Sequence, residues 1–321
     1  MTITSEQADW FARTFAQLAD NVERAVLGKR HVVELVLTAM LSDGHVLLED
    51  VPGTGKTSLA RALAQSVQGT NTRIQFTPDL LPGDITGITV YDQKTGTFDF
   101  HAGPVFANIV LADEINRASP KTQSALLEVM EEGKVTIDGV SRPVGVPFLV
   151  IATQNPVEQA GTYRLPEAQL DRFLLKTSLG YPDHAATVRI LDGAAVPTSE
   201  LAPIVAPQAL VGMADLARTV YIDALVLDYI ARIVDATRAA DQVRLGVSIR
   251  GALALTHATK ARAASQGRTY ATPDDVKALA IPVLSHRLML HPEAEFDGVT
   301  AEAIVGQVLL DVPPPTHREV G

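Results

Sequence analysis

The sequence predicts an α/β protein: a parallel β-sheet layered with helices, followed by a second, helical domain. Three observations carry this prediction. Five short apolar runs, 45–48, 73–76, 109–112, 148–152 and 174–178, have helical stretches between several of them. Three of the runs lack period-two alternation, as strands buried on both faces should. After Tyr181-Pro182 the texture becomes helical. At about 150 residues per domain, a chain of 321 residues suits two domains. The split is drawn as 1–181 and 182–321.

Taken in order, Phe11, Phe15, Leu18, Val22 and Val26 recur at spacings of three and four, which predicts a first helix. The run from Val32 to Leu41 predicts a second. The first strand, 45–48, leads through a glycine-rich turn into a helix over 57–67, and a further helix is expected over 121–130. Two hairpins interrupt the alternation. Strands 88–91 and 97–100 flank Asp92–Gly96, and strands 134–137 and 140–144 flank the turn Asp138-Gly139. Neither pair fits parallel layers, so both are expected to project from the domain.

In the second half, Val226, Ile230, Ile233 and Thr237 fall on one helical face. Ser248 can cap a helix running to Gly267, and Thr272-Pro273-Asp274-Asp275 combines a cap, a proline at the first helical position and acids in the first turn. The Ala/Pro-rich stretch 194–207 is expected to be a linker. Pro313-Pro314-Pro315 cannot continue a helix.

Composition narrows the function classes. The net charge is −10, spread over both halves with no basic block, which disfavours passive binding to nucleic acid or to an anionic membrane. The chain has no cysteine, so disulfides, thiolate catalysis and Cys-based metal sites are excluded. Eight histidines show no paired metal-ligand spacing, and no Gly-x-Ser-x-Gly elbow occurs. No signal-peptide pattern opens the sequence and no apolar run approaches a membrane span, so a cytoplasmic protein is expected.

Two segments carry chemistry. Asp50-Val51-Pro52-Gly53-Thr54-Gly55-Lys56-Thr57 joins a strand to a helix, where successive backbone N–H groups make an anion site. Gly53 and Gly55 allow positive φ and close approach of phosphate, Lys56 would reach the β/γ-phosphates, and the Thr57 hydroxyl would ligate Mg²⁺. Thr54 and Ser58 complete the expected ATP-binding set. Asp50 replaces the usual glycine; it must point away from phosphate and is expected to bond its own loop. The second segment, Ile109-Val110-Leu111-Ala112-Asp113-Glu114, delivers two acids at a strand end, where α/β sheets place ligands. Asp113 would hold the Mg²⁺ shell and Glu114 would polarise the attacking water.

With these motifs the chain resembles an AAA+ ATPase, and more narrowly the MoxR family. The resemblance is dense over about 28–181. It rests on the runs 44–53 (GHVLLEDVPG), 76–84 (FTPDLLPGD), 112–118 (ADEINRA), 152–156 (ATQNP) and 165–173 (LPEAQLDRF). The family pattern itself has Asp at the first phosphate-loop position. It implies a five-stranded parallel sheet, a hairpin inserted in helix 2 (here about 86–100), a second hairpin before the fourth strand, and an all-α lid. It also assigns roles. Asn155 matches sensor 1. Arg172 matches the arginine finger that reaches a neighbouring subunit's γ-phosphate, and Arg250 matches sensor 2. Val26, Leu27 and Gly28 match the segment lining the adenine pocket. Arg117 could contact the neighbour's nucleotide or Glu114. Arg164 stands where the family commonly has proline and receives no role.

The resemblance implies a homo-oligomeric ring, hexameric, hydrolysing ATP with Mg²⁺. Its work would be chaperone-like maturation or remodelling of protein complexes, with a von Willebrand factor A domain partner, a protein client and in some cases metal-cofactor insertion. Three other readings stay open: a nucleic-acid motor, a magnesium-chelatase-like subunit and a non-hydrolysing nucleotide switch. Neither hairpin is a basic prong, which counts against the first. Intact Lys56, Asp113, Glu114 and Asn155 count against the last.

Overall fold

The computed structural model describes residues 2–51, 53–155, 163 and 165–315. Pro52, Pro156 and Arg164, named above, lie outside the described residues. The chain forms two compact units. One comprises residues 17–173 and 177–211; the other comprises residues up to 16, 174–176 and from 212 onward.

In chain order, α1 (Ser5–Glu23) and α2 (Arg30–Met40) lead to β1 (Val46–Glu49), α3 (Lys56–Ser66) and β2 (Asn71–Gln75). A one-turn α4 (Pro82–Thr86) precedes the hairpin β3 (Gly87–Asp92) and β4 (Thr97–Ala102). Then come β5 (Ile109–Asp113), α5 (Pro120–Glu132), the hairpin β6 (Lys134–Ile137) and β7 (Val140–Pro143), and β8 (Leu149–Gln154). Short α6 (Glu167–Leu170), β9 (Leu175–Thr177) and α7 (His184–Leu191) follow. The five-stranded sheet runs β2-β5-β8-β1-β9, and the β2–β5, β5–β8 and β8–β1 pairs are parallel. Both hairpins stand outside it as separate two-stranded ribbons, and the second precedes the fourth strand, as expected.

The burial pattern explains why the sheet forms. Every residue of β5 is buried, as are all but the last residues of β1 and β8, so these runs show no alternation. β2 lies at one end of the sheet, and only Ile74 of its five residues is buried. Phe76, Ile85, Leu126, Leu127 and Phe173 fill the core against the sheet. Each such side chain contributes about 1.5–3 kcal/mol on leaving water.

The helical unit holds α8 (Pro207–Arg218) from Gly212, α9 (Ala224–Ala239), α10 (Ile249–Ser265), α11 (Pro273–Leu284), α12 (Pro292–Phe296) and α13 (Ala301–Asp311). Val226, Ile230, Ile233 and Thr237 are all buried. Ser248 accepts the Gly251 N–H at 3.2 Å, and Thr272 with Asp275 forms a capping box. One small ribbon, β10 (Val243–Leu245) against β11 (Met289–Leu290), adds to the helices; its strands are too short for periodicity to register.

The sequence boundary at 181/182 and the observed division differ. Residues 194–207, expected as a linker, are a strap fastened to the sheet-bearing unit. Val196 N–H donates to the Arg24 carbonyl, Ile204 and Val205 N–H to the Ser66 carbonyl, and Asn21 Nδ2 to the Ala202 carbonyl. At the other end, Ile3 N–H donates to the Thr219 carbonyl, within the helical unit. Among the described residues no helix is long and apolar enough to cross a membrane.

Two buried polar side chains tie the sheet to its surroundings. His45 sits just before β1, with Nε2 3.0 Å from the Met130 carbonyl and Nδ1 accepting the Val150 N–H at 3.1 Å. A carbonyl at Nε2 and an amide proton at Nδ1 fix the neutral Nε2–H tautomer. Burial pushes its pKa down to about 4, against opposing pulls from the Met130 carbonyl and the Asp43 carboxylate. Expected to bond its own loop, Asp50 instead accepts from the segment after β9. Ser178 Oγ and Gly180 N–H donate to Oδ1 at 2.9 Å each, and Leu179 N–H donates to Oδ2 at 2.7 Å.

Because the folded His45 pKa lies below the unfolded value of about 6.5, its contribution is complete above that pH and is lost as pH falls toward 4. Denaturant unfolding should show about 2 kcal/mol lost between pH 7 and 5 that His45→Gln does not lose; equal losses in both proteins would contradict this. Asp50→Ala strands three donors and should cost about 3 kcal/mol, with Asp50→Asn intermediate. Chemical denaturation midpoints measure both, and an unchanged midpoint for Asp50→Ala would show that the carboxylate is not the tie.

Candidate functional site

Parallel pairing brings the carboxyl ends of β1, β2, β5 and β8 level, with Glu49 opposite Gln154 and Gln75 opposite Asp113. A pocket opens at these ends. It is lined by Asp50, Gly53, Thr54, Gly55, Lys56, Thr57 and Ser58 from the β1–α3 turn. Asp113, Glu114, Thr153 and Asn155 line it from β5 and β8, and Arg73 and Gln75 from β2.

The turn is built for an anion. Gly53 and Gly55 have φ of +86° and +98°, where a side chain would be strained, and Gly55 is the N-cap of α3. The free N–H groups of the first turn of α3 meet the pocket there. Lys56 Nζ donates to the Val51 carbonyl at 2.9 Å, spanning the turn. Asp50 lines the pocket, yet both of its oxygens accept from the Ser178–Gly180 donors, which stabilise its charge.

The acids are held by a network centred on Thr153. Its hydroxyl donates to Asp113 Oδ1 at 2.6 Å and accepts the Glu114 N–H at 2.9 Å. Glu114 is left-handed at φ +56°, a strained conformation of the kind that clusters at functional sites. Its Oε2 accepts from Arg117 NH1 at 2.8 Å and Gln75 Nε2 at 3.1 Å. Of the two contacts expected for Arg117, the one to Glu114 is present. Arg73 donates to Asp113 Oδ2 through NH2 at 2.6 Å and Nε at 3.2 Å, and NH2 also reaches Gln75 Oε1 at 2.7 Å.

Asp113 and Thr57 offer hard oxygen donors in one pocket, a set that suits Mg²⁺, which takes one or two protein oxygens and completes its shell with phosphate and water. No cluster of three or more His, Asp or Glu able to cage a metal exists among the described residues. The donor set therefore fits a metal brought with a phosphate ligand.

Of the predicted residues, the pocket gathers Gly53, Thr54, Gly55, Lys56, Thr57, Ser58, Asp113, Glu114 and Asn155. Val26 approaches the turn, its Cγ1 3.7 Å from where a Gly55 Cβ would lie. Leu27 is buried, and Gly28, at φ +73°, faces Ala186 so closely that a Cβ would come within 2.7 Å of it. Arg172 is absent from the lining; its NH2 pairs with Glu131 Oε2 at 3.0 Å in a separate hollow beside α5. Arg250 lies in the first turn of α10, in the other compact unit. Arg73, Gln75 and Thr153 went unpredicted as site residues. Arg73 and Gln75 stand two apart on one strand face, a signal that points inward only once β2 is known to lie beside β5.

Comparisons with known proteins agree with this geometry. The family model described as "ATPase family associated with various cellular activities (AAA)" matches residues 45–175, and an AAA lid domain model matches 235–308. YeaC of Bacillus subtilis is 50% identical over 301 residues, covering 93% of this chain and 94% of its own. Chaperone MoxR1 of Mycobacterium tuberculosis is 43% identical, covering 93% of this chain and 82% of its own. Protein MoxR of Paracoccus denitrificans is 32% identical, covering 91% and 93%. A crystal structure from Cytophaga hutchinsonii superposes with a TM-score of 0.89 at 37% identity, covering 97% of this chain and 98% of that one. Motifs, sheet order and relatives agree: the chain belongs to the MoxR family of AAA+ ATPases.

Proposed function

We propose that this protein is a Mg²⁺-dependent ATPase working as a homo-oligomeric, hexameric ring with chaperone-like action on a protein client. The observation that carries the proposal is one pocket shared by an anion-binding turn, two strand-end acids and Asn155. Backbone N–H groups of the turn and Lys56 bind the phosphates. Thr57 and Asp113 would hold the metal, which would supply positive charge to the phosphate oxygens. Glu114 takes the proton of a water that attacks the γ-phosphorus as the bond to the β-phosphate oxygen breaks, giving ADP and phosphate. Asn155 orients that water, and Leu27 and Gly28 line the adenine pocket.

Arg172 supports the ring. Its guanidinium pairs with Glu131, outside the pocket of its own subunit, which suits a finger acting on a neighbour. Such a finger is worth about 10³–10⁵ in rate, or roughly 4–7 kcal/mol. Arg250, on the lid, is assigned to sense the nucleotide.

The β3–β4 hairpin supports a protein client. It exposes Ile88, Val90, Tyr91 and Phe98, with the rings of Tyr91 and Phe98 5.1 Å apart. The register sets Tyr91 opposite Phe98 on one face of the ribbon and Ile88 with Val90 on the other, and exposed apolar side chains of this kind suit protein contact, whereas a nucleic-acid prong needs cations. The chaperone role follows the name of the Mycobacterium tuberculosis relative. A von Willebrand factor A domain partner and metal-cofactor insertion into a client are carried from the sequence resemblance.

Glu114→Gln should keep ATP binding while lowering steady-state turnover at least about 10²-fold; undiminished phosphate release would remove Glu114 from the mechanism. Arg172→Ala should bind ATP and hydrolyse it about 10³-fold more slowly. Mixing it with Lys56→Ala subunits, themselves inactive, should restore part of the activity across mixed interfaces. Mixed assemblies that stay inactive would refute a finger acting in trans.

A further inference from the structure

Arg73 has no role in the mechanism above, yet its guanidinium bonds to residues of the site. Two of its N–H groups converge on Asp113 Oδ2, and a third bond holds the Gln75 amide, which in turn holds Glu114. Thr153 takes Asp113 Oδ1. Both oxygens of the proposed metal ligand are therefore engaged, one of them by a full positive charge. The two partners differ in freedom: the Asp113 side chain is 12% exposed and the Arg73 side chain 50%. A half-exposed guanidinium on a long stem can turn toward water, whereas a carboxylate at the end of a buried strand is fixed. One carboxylate oxygen cannot serve a guanidinium and a divalent cation together without bringing like charges into contact.

We infer that Arg73 is a positioning residue that acts as counter-ion to Asp113 and yields it on metal binding, so that Arg73 sets the metal dependence of nucleotide binding. This rests on the nucleotide-site reading above. Without metal, Arg73 and Lys56 are, among the described residues, the cations lining a pocket that also holds Asp50, Asp113 and Glu114, so Arg73 keeps the pocket receptive to phosphate. With metal, the same guanidinium is a competitor. Removing it should therefore change the two conditions in opposite directions, which a merely structural link between β2 and β5 would not do.

The test is the affinity of the intact protein for fluorescently labelled ATP, measured in EDTA and across a Mg²⁺ titration. Arg73→Gln should weaken binding in EDTA about fivefold and lower the half-saturating Mg²⁺ concentration about fivefold, the scale of one half-exposed charge pair. Arg73→Lys, which keeps the charge, should return the EDTA affinity toward wild type. Combined with Asp113→Asn, Arg73→Gln should no longer shift the Mg²⁺ midpoint. Arg73→Gln weakening both measurements, or moving neither, would overturn the inference while leaving the nucleotide site in place. If wild type binds no labelled ATP, or Lys56→Ala binds it equally well, the nucleotide-site reading falls and this inference falls with it.

Discussion

The Thr153 hydroxyl is the point on which the site turns. It accepts a hydrogen bond from the Glu114 N–H and donates one to the Asp113 carboxylate, so a single buried oxygen fixes both the strained turn of one acid and the orientation of the other. This works because β5 and β8 pair in parallel register, with Ala112 opposite Ala152, which delivers Asp113 and Thr153 side by side at the end of the ladder. A slip of one residue would send Thr153 to the opposite face of the sheet.

Three acids line the pocket, and each is stabilised differently. Asp50 is satisfied by two backbone N–H groups and a hydroxyl, a fixed arrangement with no mobile charge. Glu114 is held by Arg117 and Gln75, both reaching it from the surface. Asp113 is matched by Arg73. Burial of a carboxylate is costly without such partners. The choice of partner decides what can change: backbone dipoles stay put, whereas half-exposed guanidinium groups can exchange with another cation.

Much of this architecture was legible in the sequence, and for physical reasons. Unalternating apolar runs such as 109–112, too short for a buried helix, read as strands covered on both faces, and helix caps such as Ser248 and Thr272 announce themselves through local hydrogen bonding. The phosphate turn was equally plain, because positive φ demands glycine at fixed places. The rest depends on contacts distant in sequence. Arg73 reads as an ordinary strand residue until strand order puts it beside Asp113, 40 residues away. Asp50 finds its partners about 130 residues downstream, so no local rule could select them over its own loop. The strap over 194–207 has linker composition, and only its hydrogen bonds to Arg24 and Ser66 reveal that it is fastened.

β2 ends the sheet, with no further strand paired to its outer side among the described residues. Such a border invites another chain to add a strand, a hazard that proteins counter with charged and polar side chains. Asn71, Arg73 and Gln75 are exposed or half-exposed along it, and only Ile74 turns fully inward. The residues that make the border unattractive to a stray strand include the two whose side chains reach back to the acids. Protection against misassembly and tuning of the site thus fall on the same short segment. A substitution there that eased one demand would be judged by the other as well.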